Sequence, residues 1–190
     1  ARAPDLVVEM AHPDYSRRHG EAILACADYL PLSVTALADD ELRERLIAAA
    51  KRSGKRLLIP HGALVGTENL VEWRHMWKDV TITFRKAPRN IDFSESGFDP
   101  STIHGETVVY DGPVRGIAAR FPRNVNTMVT CALATVGLDR CRARLISDPA
   151  YKVAMLEVEA IGLDGGRIVI RKEQPAEGVS GTEMFEAQWS

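Results

Sequence analysis

The stretch that sets the fold is "DLVVEMAHPDYSRRHGEAILACADYLPLSV", residues 5–34. "DLVVEMA" (5–11) has the short apolar run of a strand. "YSRRHGEAILACA" (15–27) has helical spacing, with Ile23, Leu24 and Ala27 on one face, and "DYLPLSV" (28–34) returns to strand character. The alternation continues outward. Asp39 is placed to cap "DELRERLIAAAKRSG", in which Leu42, Leu46, Ile47 and Ala50 follow helical spacing and Gly54 ends the helix. "RLLIP" (56–60) is then a third strand. Short strands alternating with helices predict right-handed βαβ units and a parallel sheet.

Beyond residue 62 the pattern changes. "NLVEWRHMW" (69–77) reads as helix and "DVTITFRK" (79–86) as a half-buried strand. Residues 87–105 are rich in turn formers and predict an excursion or lid. "ETVVYDG" is a strand, "PVRGIAARF" a short helix, and the run from Asn124 to Val136 a further helix. "RCRARLISD", "AMLEVEAIG" and "RIVIRKE" predict three strands, the last two joined by a hairpin at "LDGG", and "TEMFEAQWS" starts a final helix. A parallel α/β piece is thus followed by an α+β piece with a mostly antiparallel sheet.

Composition narrows the function. The net charge of −2 argues against a nucleic-acid partner, which calls for a strongly basic face. No apolar run approaches the ~20 residues that span a bilayer, so no membrane role is expected. Cys26, Cys131 and Cys141 form no CxxC pair, an odd set that predicts reduced thiols and a cytoplasmic home. The chain opens without Met and enters a strand almost at once, as expected for a fragment or the ordered part of a longer protein.

Ligands of open parallel sheets bind at the carboxyl ends of the strands. Here those ends are "MAHP" (10–13), "SVTAL" (33–37) and "IPHGALVG" (59–66), dominated by small residues, with His12 and His61 at two of them. None carries a GxGxxG turn, so these residues lack the pyrophosphate grip of a dinucleotide site. No HExxH, His/Cys cluster or carboxylate cluster calls for a metal, and no GxSxG elbow for a hydrolase. "FPRNVNTM" (121–128) places two amides at the mouth of an apolar helix. Asn124 can cap that helix. Capping does not explain Asn126, which with Thr127 and the free N–H groups of the first turn makes a pocket for a small carboxylate.

"DLVVEMA", "SVTALAD", "HGALVG", "FRKAPR", "YDGPVRG", "FPRNVNTM" and "SDP" occur in the order seen in the aspartate dehydrogenase family, which this chain resembles along nearly its whole length. The resemblance implies the second half of a Rossmann-type parallel sheet over residues 1–62. An α+β substrate-binding and dimerisation domain would follow over 63–190. The glycine turn would lie before Ala1. It implies NAD or NADP as cofactor and oxidation of L-aspartate to iminosuccinate, which hydrolyses to oxaloacetate and ammonia. Ala11, His12, Thr35 and Ala36 would lie near the cofactor, and Asn124, Asn126 and Thr127 near the nicotinamide and substrate.

One departure is chemical. The family carries an Asn-x-His pair after its Asp-Pro turn, and that His is taken as the acid/base. Counting from Asp148 and Pro149, these positions are Ala154 and Leu156, neither able to transfer a proton. The family's "SGA" is "HGA" here, so His61 is the candidate replacement. Two other readings stay open, a non-catalytic homologue that binds a metabolite or forms a dimer, and a homoserine dehydrogenase-like reductase. The strands at 141–147, 152–162 and 167–172 are expected to build a sheet with Leu145, Val158, Ile168 and Ile170 on one face. If no helices cover it, that face predicts a homodimer.

Overall fold

The computed structural model describes residues 4–175, and the chain divides into two compact units, Ala1–Pro60 and His61–Ser190. The expected terminal helix at "TEMFEAQWS" lies outside the described residues.

In the first unit β1 (Leu6–Glu9) pairs in parallel with β2 (Asp28–Pro31), joined by α1 (Pro13–Leu24). A 3-10 turn, Val34–Ala38, leads to α2 (Asp40–Ser53). The signals for α2 work as read. The Asp39 carboxylate accepts the Leu42 N–H at 3.1 Å, and Gly54 closes the helix at φ 70°, a left-handed conformation that glycine adopts without strain. The two helices approach closely because Gly20 has no side chain; a Cβ there would stand 2.6 Å from Leu46 Cδ2. Leu24, Ala27, Tyr29, Leu37, Leu42 and Leu46 fill the core, and the buried Tyr29 hydroxyl is satisfied by Ser16 Oγ at 2.8 Å. The expected third strand at 56–60 is reduced to a single parallel bridge between Leu57 and Tyr29. Pro60, three residues after Leu57, has no N–H to give a ladder.

The second unit begins with α3 (Thr67–Glu72), a helix shorter than expected because β3 (Trp77–Lys86) starts two residues earlier. β4 (Thr107–Pro113), α4 (Val114–Arg120), α5 (Asn126–Ala134), β5 (Arg142–Ser147), β6 (Val153–Gly162) and β7 (Arg167–Pro175) follow. The sheet order is β4-β5-β3-β6-β7; only β3–β5 is parallel and the other three pairings are antiparallel. The β6–β7 hairpin turns at Gly165, φ 83°, as the "LDGG" signal required.

Register assigns the two faces. Ile82 stands beside Ala143 and Val158, and Phe84 beside Leu145 and Leu156. These residues are all buried, and α4 packs against β5 and α5 against β3. Each large apolar side chain buried there contributes about 1.5–3 kcal/mol. The opposite face carries Arg85, Arg144, Glu157, Glu159 and Arg171. This corrects the expected apolar subunit face. Leu145 and Val158 are core residues of their own unit, and Ile170 lies against the start of α3, where a Cβ on Gly66 would stand 2.7 Å from its Cδ1. The excursion at 87–105 is anchored, with Ile91 and Ile103 buried and Phe93 edge-on to Phe121 at 6.0 Å.

Candidate active site

The carboxyl ends of β1 and β2 are organised by Glu9, a residue the sequence reading passed over. It closes β1 and is only 3% exposed. Its carboxylate accepts the N–H groups of Ala11 at 2.6 Å, His12 at 2.8 Å and Ser33 at 3.1 Å, and the Ser33 hydroxyl at 3.1 Å. Four donors on one carboxylate offset its desolvation and fix both loops. His12 becomes the N-cap of α1, its Nδ1 accepting the Asp14 N–H at 3.2 Å. Thr35 and Ala36 are buried in the 3-10 turn that follows Ser33. The structure therefore places Ala11 and His12 on one strand-end loop and Thr35 and Ala36 beyond the other. The signal for Glu9 was an acidic residue inside an apolar strand, which demands internal partners.

In the second unit the amides of 121–128 divide their work. Asn124 is not the helix cap. Val125 holds that position and offers no side-chain bond. The Asn124 Oδ1 accepts the Asp92 N–H at 2.8 Å and its Nδ2 reaches the Asn90 carbonyl at 3.5 Å, so the amide clasps the excursion to the mouth of α5. Asn126 is the first residue of α5 and Thr127 the second, both half-buried. The N-cap residue gives the helix start no side-chain bond. Its N–H groups and positive dipole end favour an anion. Thr127 Oγ1 lies 3.7 Å from the point where a Cβ on Gly62 would stand, and Gly62 takes φ 57°, a left-handed conformation that glycine adopts without strain. His61, exposed, directly precedes it. The second unit thus brings together the His61–Gly62 turn and the Thr127 end of α5.

Ala154 and Leu156, the positions expected to correspond to the family's Asn-x-His pair, are apolar in their surroundings. Leu156, 7% exposed, lies opposite Phe84 on the helix-covered face, and Ala154 is half-buried two residues before it on β6. A second charged residue missed in the sequence stands beside them. Lys86, the last residue of β3, reaches back over the Phe84 ring at 4.7 Å. Protein atoms crowd its amine although the residue keeps some surface open, and burial lowers it from 10.5 to about 8. An open groove of about 340 Å³ lies elsewhere, lined by Arg85, Glu106, Tyr151, Met155, Glu157 and Arg171. Arg85, Met155 and Glu157 point to the uncovered face, so the groove is apart from Leu156 and contains none of the expected site residues. Among the described residues no three of His, Cys, Asp or Glu gather as a metal site.

The family described as "Aspartate dehydrogenase, C-terminal" matches residues 71–182, and "Homoserine dehydrogenase, NAD binding domain" matches residues 1–60. An "Aspartate dehydrogenase domain-containing protein" of Xenopus tropicalis is 38% identical over 154 residues, covering 78% of this chain and 54% of its own. L-aspartate dehydrogenase 2 of Bordetella pertussis is 40% identical over 151 residues, covering 77% and 56%. The L-aspartate dehydrogenase of Ralstonia nicotianae is 36% identical over 179 residues, covering 92% and 67%. The crystal structure of aspartate dehydrogenase from Thermotoga maritima matches with a TM-score of 0.79 at 27% identity, over 100% of this chain and 77% of that one. The chain spans about half the length of the first two relatives. With the family description covering more than half of its residues, the chain belongs to the aspartate dehydrogenase family.

Proposed function

We propose that the protein is an NAD(P)-dependent oxidoreductase acting on L-aspartate or a closely related amino or imino dicarboxylic acid, giving iminosuccinate and then oxaloacetate and ammonia. The observation that carries this reading is the start of α5, where the N-cap residue Val125 offers no side-chain bond and Thr127 lies beside the His61–Gly62 turn, with α5 inside the stretch that matches the family. Asn126, Thr127 and the first N–H groups of α5 hold a substrate carboxylate. Asn124 keeps the 90–92 segment fastened at the helix mouth. His61 receives the proton that the substrate's amino group must lose before its Cα–H bond can break.

The bound nicotinamide supplies the hydride-accepting carbon. Ala11, His12, Thr35 and Ala36 are the residues we assign to its surroundings, on loops that Glu9 holds still. These residues fit the flat end of a dinucleotide, not its pyrophosphate. At the start of α1, Pro13 brings no N–H, His12 takes the Asp14 N–H, and the Asp14 carboxylate would repel a phosphate. Residues 1–190 alone are therefore expected to bind NADH weakly or not at all, and micromolar binding by calorimetry would overturn this assignment.

The test of the activity is aspartate-dependent NAD(P)H formation by the intact native polypeptide. His61→Ala should lower turnover about 10²–10⁴-fold, whereas Asn126→Ala should chiefly raise KM. Leu156 favours one other reading, a homologue that binds the metabolite without turning it over. Dicarboxylate binding with no NAD(P)H formed would establish that reading. We also propose a homodimer built on the uncovered face of the second unit's sheet. Val108, Val153 and Val169 are exposed there among charged residues. A monomeric mass by light scattering at micromolar concentration would exclude it. Among the described residues no helix is long and apolar enough to cross a membrane. With three unpaired cysteines we place the protein in the cytoplasm.

A further inference from the structure

We propose that the Lys86 ammonium is the cation that grips a carboxylate of the substrate, which rests on the reading above that the site takes a dicarboxylic acid. Lys86 ends β3 on the helix-covered face, the face against which α5 packs. Its partner across β5 is Ser147, and continuing the β3–β6 register by one residue places Ala154 on its other side. Both neighbours are small and uncharged. Ser147 Oγ and the Asp148 N–H bond the Lys86 carbonyl at 2.9 and 3.4 Å, so the backbone is tied while the side chain is not.

Among the described residues the Lys86 amine has no carboxylate and no hydrogen-bond partner; it rests over the face of Phe84. A desolvated cation without a counter-charge is costly, and such groups cluster at functional sites. Burial alone lowers the amine, with no charged neighbour contributing; the next charged residue on this face, Lys172, stands opposite Leu156 on β7. The chain also links Lys86 to the segment that carries the amides. Asn90 and Asp92, four and six residues after Lys86, are fastened to Asn124, which lies two residues before Asn126. Asn126, Thr127 and the helix start offer neutral donors, and Lys86 adds the charge that separates a dicarboxylate from its monoamide.

The experiment is calorimetric titration of the intact protein, in the presence of NADH, with succinate and with succinamate. Succinate should bind more tightly than succinamate. Lys86→Met should weaken succinate about 10- to 100-fold and erase the preference, while Lys86→Arg should keep most of it. A carboxylate beside the amine raises its affinity for protons, so succinate binding at pH 8.5 should take up a proton and binding at pH 6.5 should take up almost none. Buffers of different ionisation enthalpy read this directly on the wild type, independent of how any variant folds. Lys86→Met with unchanged succinate affinity, a wild type that ignores succinate, or equal proton uptake at both pH values would overturn the proposal. Lys86-dependent succinate binding without aspartate-dependent NADH formation would overturn the dehydrogenase reading and leave Lys86 in place.

Discussion

Glu9 and Lys86 are both charged, both desolvated and both at the carboxyl end of a strand, yet their surroundings are opposite. Glu9 receives four donors from its own unit, while Lys86 receives no counter-ion among the described residues. A charge saturated by its own fold is an architectural element, and its removal leaves donors stranded. A charge left without a partner weakens the fold that holds it, so its removal should strengthen that fold. The two residues therefore predict mutational effects of opposite sign on stability.

The largest effect is expected beside Lys86. Leu156→His with Ala154→Asn, in a His61→Ala background, should raise aspartate-dependent NADH formation by the intact protein about 10²–10⁴-fold, by restoring an acid/base group on the face that carries the amine. An unchanged rate in a folded triple variant would show that this pair cannot replace His61.

Glu9→Ala comes next. It takes the acceptor from the N–H groups of Ala11, His12 and Ser33 at a half-buried strand end and should cost the first unit about 2–3 kcal/mol, read from denaturant unfolding. Lys86→Met should go the other way and stabilise the second unit by about 1–3 kcal/mol at pH 7. The pH dependence follows from the lowered amine. The folded state holds its proton only below about 8 while the unfolded chain holds it up to about 10.5. Wild-type stability should thus rise between those values, with the full penalty present below pH 8, and Lys86→Met should remove that slope. Equal stability of variant and wild type at pH 7 would mean that the amine is better solvated than its surroundings indicate.

The smallest effect is Asn124→Ala, about 1 kcal/mol. It should appear as faster hydrogen exchange at the Asp92 amide.

The sequence was most legible where local chemistry decides the outcome. The Asp39 cap, the Gly54 stop and the Gly165 turn each act within a few residues, and each stands where its residue type places it. It was less legible where a distant partner decides. Leu145 and Val158 read as a potential subunit face because the pattern cannot say which layer covers a sheet. Asn124 read as a cap because its true partners, Asn90 and Asp92, are more than thirty residues away. Glu9 and Lys86 went unremarked because a charged residue in a strand looks ordinary until its surroundings are known. Motif order pointed to the family and to Asn126 and Thr127, which carry no long-range signal of their own.

The strand order of the second unit sets a schedule for the newly made chain. β3 is the centre of its sheet, but its partners β5 and β6 come much later in sequence. When Lys86 leaves the ribosome, roughly 75 further residues must follow before Gly162 completes the pairing, on the order of 4–15 s at ~5–20 residues per second. Throughout that interval Val80, Ile82 and Phe84 present two open edges to any other strand nearby. The strand that ends in Lys86 is therefore where nascent chains are most exposed to wrong partners and where a holding chaperone would engage.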